Sequence, residues 1–102
     1  MPITYTKKDV AKKTAEKLGL KIFQTGETVD AMFTALREMM SGDESNIRIE
    51  VRNFGVFEVK PTKAKPRARN PRTNEEVFVP ARRKTHFKSG KLLKEVLKQP
   101  LK

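Results

Sequence analysis

The sequence predicts an α+β fold: an N-terminal helical hairpin, a three-stranded antiparallel sheet carrying a long two-stranded β-arm, and a short C-terminal helix. Three observations carry this. Apolar residues recur every 3.6 positions up to about residue 40 and every second position after residue 46. The stretch 60–74 is basic and proline-bearing, with almost no apolar content to build a core. A last apolar period of 3.6 comes after Ser89-Gly90. At 102 residues one domain is expected. Its parts are a helical hairpin over 1–45, a sheet over 46–59 and 75–86, an arm and tip over 60–74, and a helix and tail over 87–102.

Thr6 reads as a helix N-cap with Asp9 three residues on, close to a capping box. Val10, Ala11, Thr14, Ala15 and Leu18 share one face, and Gly19 supplies the stop. The first helix is placed at 6–18. Residues 20–23 read as a connection, and a second helix starts near Gln24 to Glu27. Val29, Met32, Phe33, Leu36, Met39 and Met40 form its apolar stripe, and it ends before Gly42.

Ile47, Ile49 and Val51 alternate with Arg48, Glu50 and Arg52, as in a half-buried strand. Asn53-Phe54-Gly55 is turn chemistry, since Asn and Gly tolerate the left-handed region. A second strand begins at Val56. Pro61 and Pro66 lack the N–H donor, which suits an edge or a two-stranded arm and excludes a central strand. On the ascending limb Lys63, Lys65, Arg67 and Arg69 fall on one face by period two. Val77 and Val79 fall together on the descending limb. Leu92, Leu93, Val96 and Leu97 give the last helix its apolar face, with Pro100 beyond it.

The net charge is +11, and its placement is informative. Residues 1–59 hold nine Lys/Arg and nine Asp/Glu, while residues 60–102 hold fourteen Lys/Arg against three Asp/Glu. The whole excess lies in the arm and the C-terminal segment, the footprint of a polyanion binder rather than of a general solubility charge. The large apolar residues exceed what two helices and a small sheet enclose, because chains of this size bury only about 60% of their surface alone. A second copy would supply the missing wall and a second arm.

Other classes find little support. Without cysteine there is neither a disulfide nor a thiolate metal site. No apolar run reaches a membrane span, and residues 1–5 lack the regions of a signal peptide. No metal, cofactor or small-molecule substrate is expected. His86, the one histidine, and Glu75-Glu76 have no partner suited to acid–base chemistry, so an enzyme is not expected.

Arg52-Asn53-Phe54-Gly55-Val56-Phe57, Arg69-Asn70-Pro71 and Phe87-Lys88-Ser89-Gly90-Lys91, in that order and between those elements, resemble the HU/IHF family of bacterial histone-like DNA-bending proteins. The resemblance runs from about Thr6 to Lys98. It implies an intertwined dimer with a helical base, a β-saddle and two arms gripping the DNA minor groove. It places Pro71 as the wedge between base pairs. Arg69, Asn70, Arg72 and Thr73 flank it, and Lys60, Lys63, Lys65 and Arg67 line the arm. Arg82, Arg83, Lys84, Lys88 and Lys91 become phosphate contacts on the flanks. Phe54, Phe57 and Phe87, with Phe33 and Leu36, fall in the dimer core. The same resemblance implies a cytoplasmic, nucleoid-associated location.

The chain departs from the family pattern in a few places. Nine residues separate Val59 from Arg69, one more than the pattern, which implies a bulge or shifted register in the arm. Asn74 and Asn53 stand where glycine is common, and asparagine can take positive φ at both.

The leading reading is largely sequence-tolerant binding and bending of duplex DNA, serving nucleoid compaction and DNA transactions. The alternatives are a site-specific bending factor of the integration-host-factor type, as a homodimer or as half of a heterodimer, and an RNA-binding or ribosome-associated protein.

Overall fold

A computed structural model describes residues 2–101. The chain divides into two compact units, one ending at Gly42 and the other beginning at Asp43.

The first unit is the helical hairpin, α1 (Lys7–Leu18) and α2 (Ile22–Met40). Asp9 Oδ2 accepts the Thr6 amide at 2.8 Å, the side-chain half of a capping box, and also accepts the Thr6 hydroxyl at 3.0 Å. Those two bonds, the amide first, hold the Asp9 carboxyl below its ordinary pKa, helped by Lys12 and Lys8 and opposed by desolvation. Gly19 ends α1 at φ 65°, where a Cβ would be strained. The seam between the helices is narrow. Ala11 and Ala15 from α1 and Thr25 and Val29 from α2 are its buried residues. Lys7 pairs with Asp30 across it, and this contact lowers the Asp30 pKa.

Helix α2 starts at Ile22, earlier than the expected Gln24–Glu27. The apolar stripe hid this turn because its buried position is the polar Thr25, whose hydroxyl returns to the Lys21 carbonyl at 2.9 Å. Ile22 and Phe23 point outward, so no periodicity marked them.

The second unit contains β1 (Ile47–Val51), β2 (Gly55–Pro61), β3 (Lys65–Arg69), β4 (Glu76–Val79), β5 (Arg83–Ser89) and α3 (Lys91–Leu97). All pairings are antiparallel. The strands form one sheet in the order β1-β2-β5 and a two-stranded ladder, β3-β4. This is the α+β architecture expected from the sequence. The sheet carries through Pro61, opposite Arg83. One more contact extends it, Thr62 N–H to the Arg82 carbonyl at 2.6 Å. The arm ladder then resumes at Lys65 opposite Val79. Pro61 ends one ascending strand and Pro80 lies between the two descending ones, so neither removes a donor from the middle of the sheet.

The turn at Val51–Phe54 is closed by the Phe54 amide on the Val51 carbonyl at 3.0 Å, with Asn53 at φ 65°. Gly55 comes next, at a close crossing. A Cβ there would lie 2.4 Å from the Lys88 carbonyl oxygen and 2.7 Å from the Phe87 ring. The rings of Phe54, Phe57 and Phe87 make a three-way cluster, with centroids 6.2, 5.2 and 4.9 Å apart.

The single chain closes little of its apolar surface. Among the described residues the buried hydrophobic ones are Ala11, Ala15, Val29 and Val59. Phe54 is 45% exposed and Phe87 39%, while Leu92, Val96 and Leu97 on α3 are exposed. Phe33 and Leu36 on α2 are half-buried.

Candidate nucleic-acid interface

Cross-strand partners share a face, so the register sorts the three-stranded sheet into two faces. Ile47, Ile49, Phe57, Val59, Thr85 and Phe87 lie on one; Arg48, Glu50, Glu58, Lys60, Lys84, His86 and Lys88 lie on the other. The second face is rich in cations, and Lys60 stands directly opposite Lys84. Like charges placed so oppose folding, a cost that an anionic partner relieves.

Glu58 is the acid at the centre of this face and is 8% exposed. Its carboxylate lies 3.1 Å from Lys88 Nζ and 3.7 Å from Lys60 Nζ. Lys88 is the main reason its pKa falls, with Lys60 and Arg48 adding and burial opposing. Arg48 is paired with Glu50 at 3.0 Å. Glu58 was not among the residues singled out from the sequence; strand parity puts it on one face with Lys60, while its approach to Lys88 depends on the β2–β5 register.

The arm departs from strict alternation. Lys65 pairs with Val79 but Ala68 pairs with Val77, so the ascending strand holds one extra residue in a bulge at Pro66-Arg67. The bulge or shifted register expected in the arm is therefore present. Its consequence corrects the single basic face: Lys65 and Ala68 share one side, while Arg69, opposite Glu76, turns to the other. Lys63 lies in the link before β3 and is exposed.

The tip is held by its own hydrogen bonds. The Asn70 amide donates to the Glu75 carbonyl at 2.9 Å, and the Asn74 amide to the Asn70 carbonyl at 2.7 Å. Asn70 Oδ1 accepts the Arg72 amide at 2.9 Å, an Asx turn that spans Pro71. Asn74 takes φ 60°, as its side chain permits. Thr73 Oγ1 accepts weakly from the Glu75 amide at 3.4 Å. Pro71 is exposed at the apex.

The two arginines flanking Pro71 are used differently. Arg69 braces the turn, donating to the Asn74 carbonyl at 3.1 Å and lying 3.7 Å from Glu76. Arg72 makes no ion pair among the described residues. Arg82 anchors the arm base through its backbone to Thr62. Arg83 stands apart from the cationic face, on the apolar side of the ladder, and donates to the Glu44 carbonyl at 3.0 Å. Lys91 opens α3 and is exposed. No cluster of three or more His, Asp or Glu among the described residues could hold a metal ion.

A hairpin arm with an exposed proline at its apex, standing on a sheet with one cationic face, defines a nucleic-acid-binding architecture. A sequence model described as Bacterial DNA-binding protein matches residues 5–98. The chain belongs to this family, the HU/IHF family of architectural DNA-binding proteins, which is not a family of enzymes. It is 37% identical over 90 residues to an integration host factor subunit alpha of Marinobacter nauticus, covering 88% of this chain and 86% of that one. It is 36% identical over 94 residues to the same subunit of Mannheimia haemolytica, covering 92% and 91%. Among solved structures, a cocrystal structure of Anabaena HU with DNA matches with a TM-score of 0.79 at 31% identity, covering 94% of this chain and all of that one.

Proposed function

We propose that this protein binds duplex DNA as a dimer and bends it through the minor groove, largely independent of sequence. The observation that carries this is the tip: Pro71 is exposed at the apex of a turn that is hydrogen-bonded before any partner arrives. A rigid ring without an N–H enters a base step without stranding a donor. Unstacking costs a few kcal/mol per step, and the bend lets flanking DNA reach more basic surface. Arg72, Asn70 and Thr73 then contact the groove walls beside the wedge, with Arg69 stiffening the turn. Lys63, Lys65 and Arg67 track the backbone along the arm. Lys60, Lys84 and Lys88 on the sheet, with Arg82 and Lys91 at its margins, meet the phosphates of the flanks.

A second copy covers the half-open Phe54, Phe57 and Phe87 cluster together with Phe33 and Leu36. A two-fold pair also presents two wedges. In a cell this activity belongs to the nucleoid, in the cytoplasm. The similarity to integration host factor alpha subunits favours a second reading, a site-specific factor that pairs with a different chain.

Sedimentation of the pure chain with and without a short duplex tests dimer and stoichiometry together. Competition separates the two readings: a specific-to-nonspecific ratio above about 10³ favours the site-specific one. Binding to double-stranded RNA as tight as to DNA would overturn both. Raising salt from about 50 to about 200 mM should weaken binding by orders of magnitude, and a flat response would contradict phosphate contact.

A further inference from the structure

We propose that Phe78 is an apolar DNA contact on the arm: its ring packs on the deoxyribose wall of the minor groove and adds a part of the affinity that salt does not screen. The inference rests on the DNA-binding reading and adds to it a residue outside the motifs that carry the family resemblance.

Phe78 lies on β4 and is 65% exposed. The arm ladder has only two strands, so no third strand covers either face. Alternation along β4 puts Glu76 and Phe78 on one face and Val77 and Val79 on the other. Across the ladder Arg69 pairs with Glu76, and the bulged Pro66-Arg67 lies opposite Phe78. Pro66 and Arg67 are themselves exposed. The rings that touch one another, Phe54, Phe57 and Phe87, belong to the sheet and its turn, and Phe78 has no ring partner among the described residues.

The charges around the ring say what covers it. Residues 62–79 hold five Lys or Arg against two Glu. Glu76, which shares the face of the ring, lies 3.7 Å from Arg69 and is neutralised by it. A second arm carries the same positive surplus and is repelled. Duplex DNA is attracted, since it carries one negative charge per about 1.7 Å of its axis. Its minor groove is walled by deoxyribose, whose C–H groups offer an apolar surface between two rows of phosphate. The ring packs there while the cations of the arm take the phosphates. The two kinds of contact answer differently to salt. A cation on a phosphate releases counterions, so its contribution falls as salt rises, whereas a ring on a sugar releases none. Burying the open part of a phenylalanine is worth roughly five- to thirtyfold in affinity for each arm.

The test is fluorescence anisotropy of a labelled duplex with the full chain, titrated from about 50 to about 200 mM salt. Phe78→Ala should weaken binding by roughly five- to thirtyfold per arm at every salt concentration, with the slope of the wild type. Phe78→Leu should recover most of that loss. Lys65→Ala is the contrast, and its slope should fall by about 0.9. The chain has no tryptophan, so Phe78→Trp places a reporter on the arm. Its emission should move to shorter wavelength when duplex is added and become shielded from acrylamide. Amide protection at Asn70 and Asn74 checks that the alanine variant keeps its turn; where it does not, the tryptophan emission decides alone. A Phe78→Ala affinity within about twofold of the wild type, a loss that disappears at higher salt, or a tryptophan that stays in water on the duplex overturns the inference. So does a tryptophan already shielded without DNA at higher chain concentration, which would give the ring to a second copy. Failure of the wild type to bind duplex would instead remove the DNA-binding reading, and the inference with it.

Discussion

Replacing Gly55 with Ala tests the close crossing between β2 and β5, which seats the aromatic cluster. The new methyl would meet the Lys88 carbonyl oxygen at 2.4 Å and two Phe87 ring carbons at 2.7 Å. The carbonyl is backbone, fixed where Val56 pairs with Lys88, and cannot swing aside. The ring is packed against Phe57 at 4.9 Å and Phe54 at 5.2 Å. Either the ladder opens at its Gly55–Ser89 end or the ring leaves the cluster. Overpacking of this kind costs about 1–3 kcal/mol, and each aromatic pair weakened adds about 0.5–1.5 kcal/mol. Together a loss of roughly 2–4 kcal/mol is expected, a fall in Tm of about 10–25 °C for a domain of this size. Gly26→Ala is the contrast. It lies inside α2 with nothing within 4 Å of its added methyl, and should stabilise by about 0.5–1 kcal/mol. Thermal unfolding by circular dichroism at one fixed chain concentration reads both, since association would make Tm depend on concentration. Gly55→Ala within about 1 kcal/mol of the wild type would show that the crossing relaxes cheaply and refute the argument.

The same geometry predicts two further outcomes. Asn74→Ala forces an alanine to φ 60°, at about 1–2 kcal/mol, and should accelerate amide exchange at Asn70 and at position 74 by roughly five- to thirtyfold, whereas Asn74→Gly should retain protection; equal exchange in the two variants would place the strain elsewhere. Asp9, Asp30 and Glu58 all have depressed pKa values, so their stabilisation is present above the ordinary carboxylate range and lost as pH falls through the lowered values. Denaturant titrations should show stability falling below about pH 4, with a shallower fall in Asp30→Asn; an unchanged slope in that variant would dissociate the Lys7–Asp30 pair from acid stability.

The sequence was most legible where local rules act alone. Thr6, Asp9 and Gly19 marked the ends of α1 because capping and positive φ are decided within a few residues. The period-two pattern of β1 showed in the burial of Ile47 and Ile49, though not of Val51, and the irregularity expected in the arm appeared as a bulge. Legibility failed where the deciding contact is distant in sequence. The first turn of α2 has a polar buried residue, so its apolar period was silent. The facing of Lys65 and Arg69 depends on which two residues share one partner across the ladder, and alternation along one strand cannot reveal that. Glu58 and His86 became neighbours only through the β2–β5 register, across 28 positions of chain. Arg83 reads as one more basic residue until its contact with Glu44, 39 positions away, is seen. Charge counting locates the cationic region, but not which of its cations already have a partner.

The claim that Pro71 wedges DNA open is tested most directly by the bend itself. Fluorescence energy transfer between the ends of a short duplex, saturated with wild type or with Pro71→Ala, reads the angle. The variant should keep most of the affinity, because the lysines and arginines remain, and should bend the duplex less. An unchanged angle at saturation would contradict the wedge and leave the arm as an electrostatic clamp.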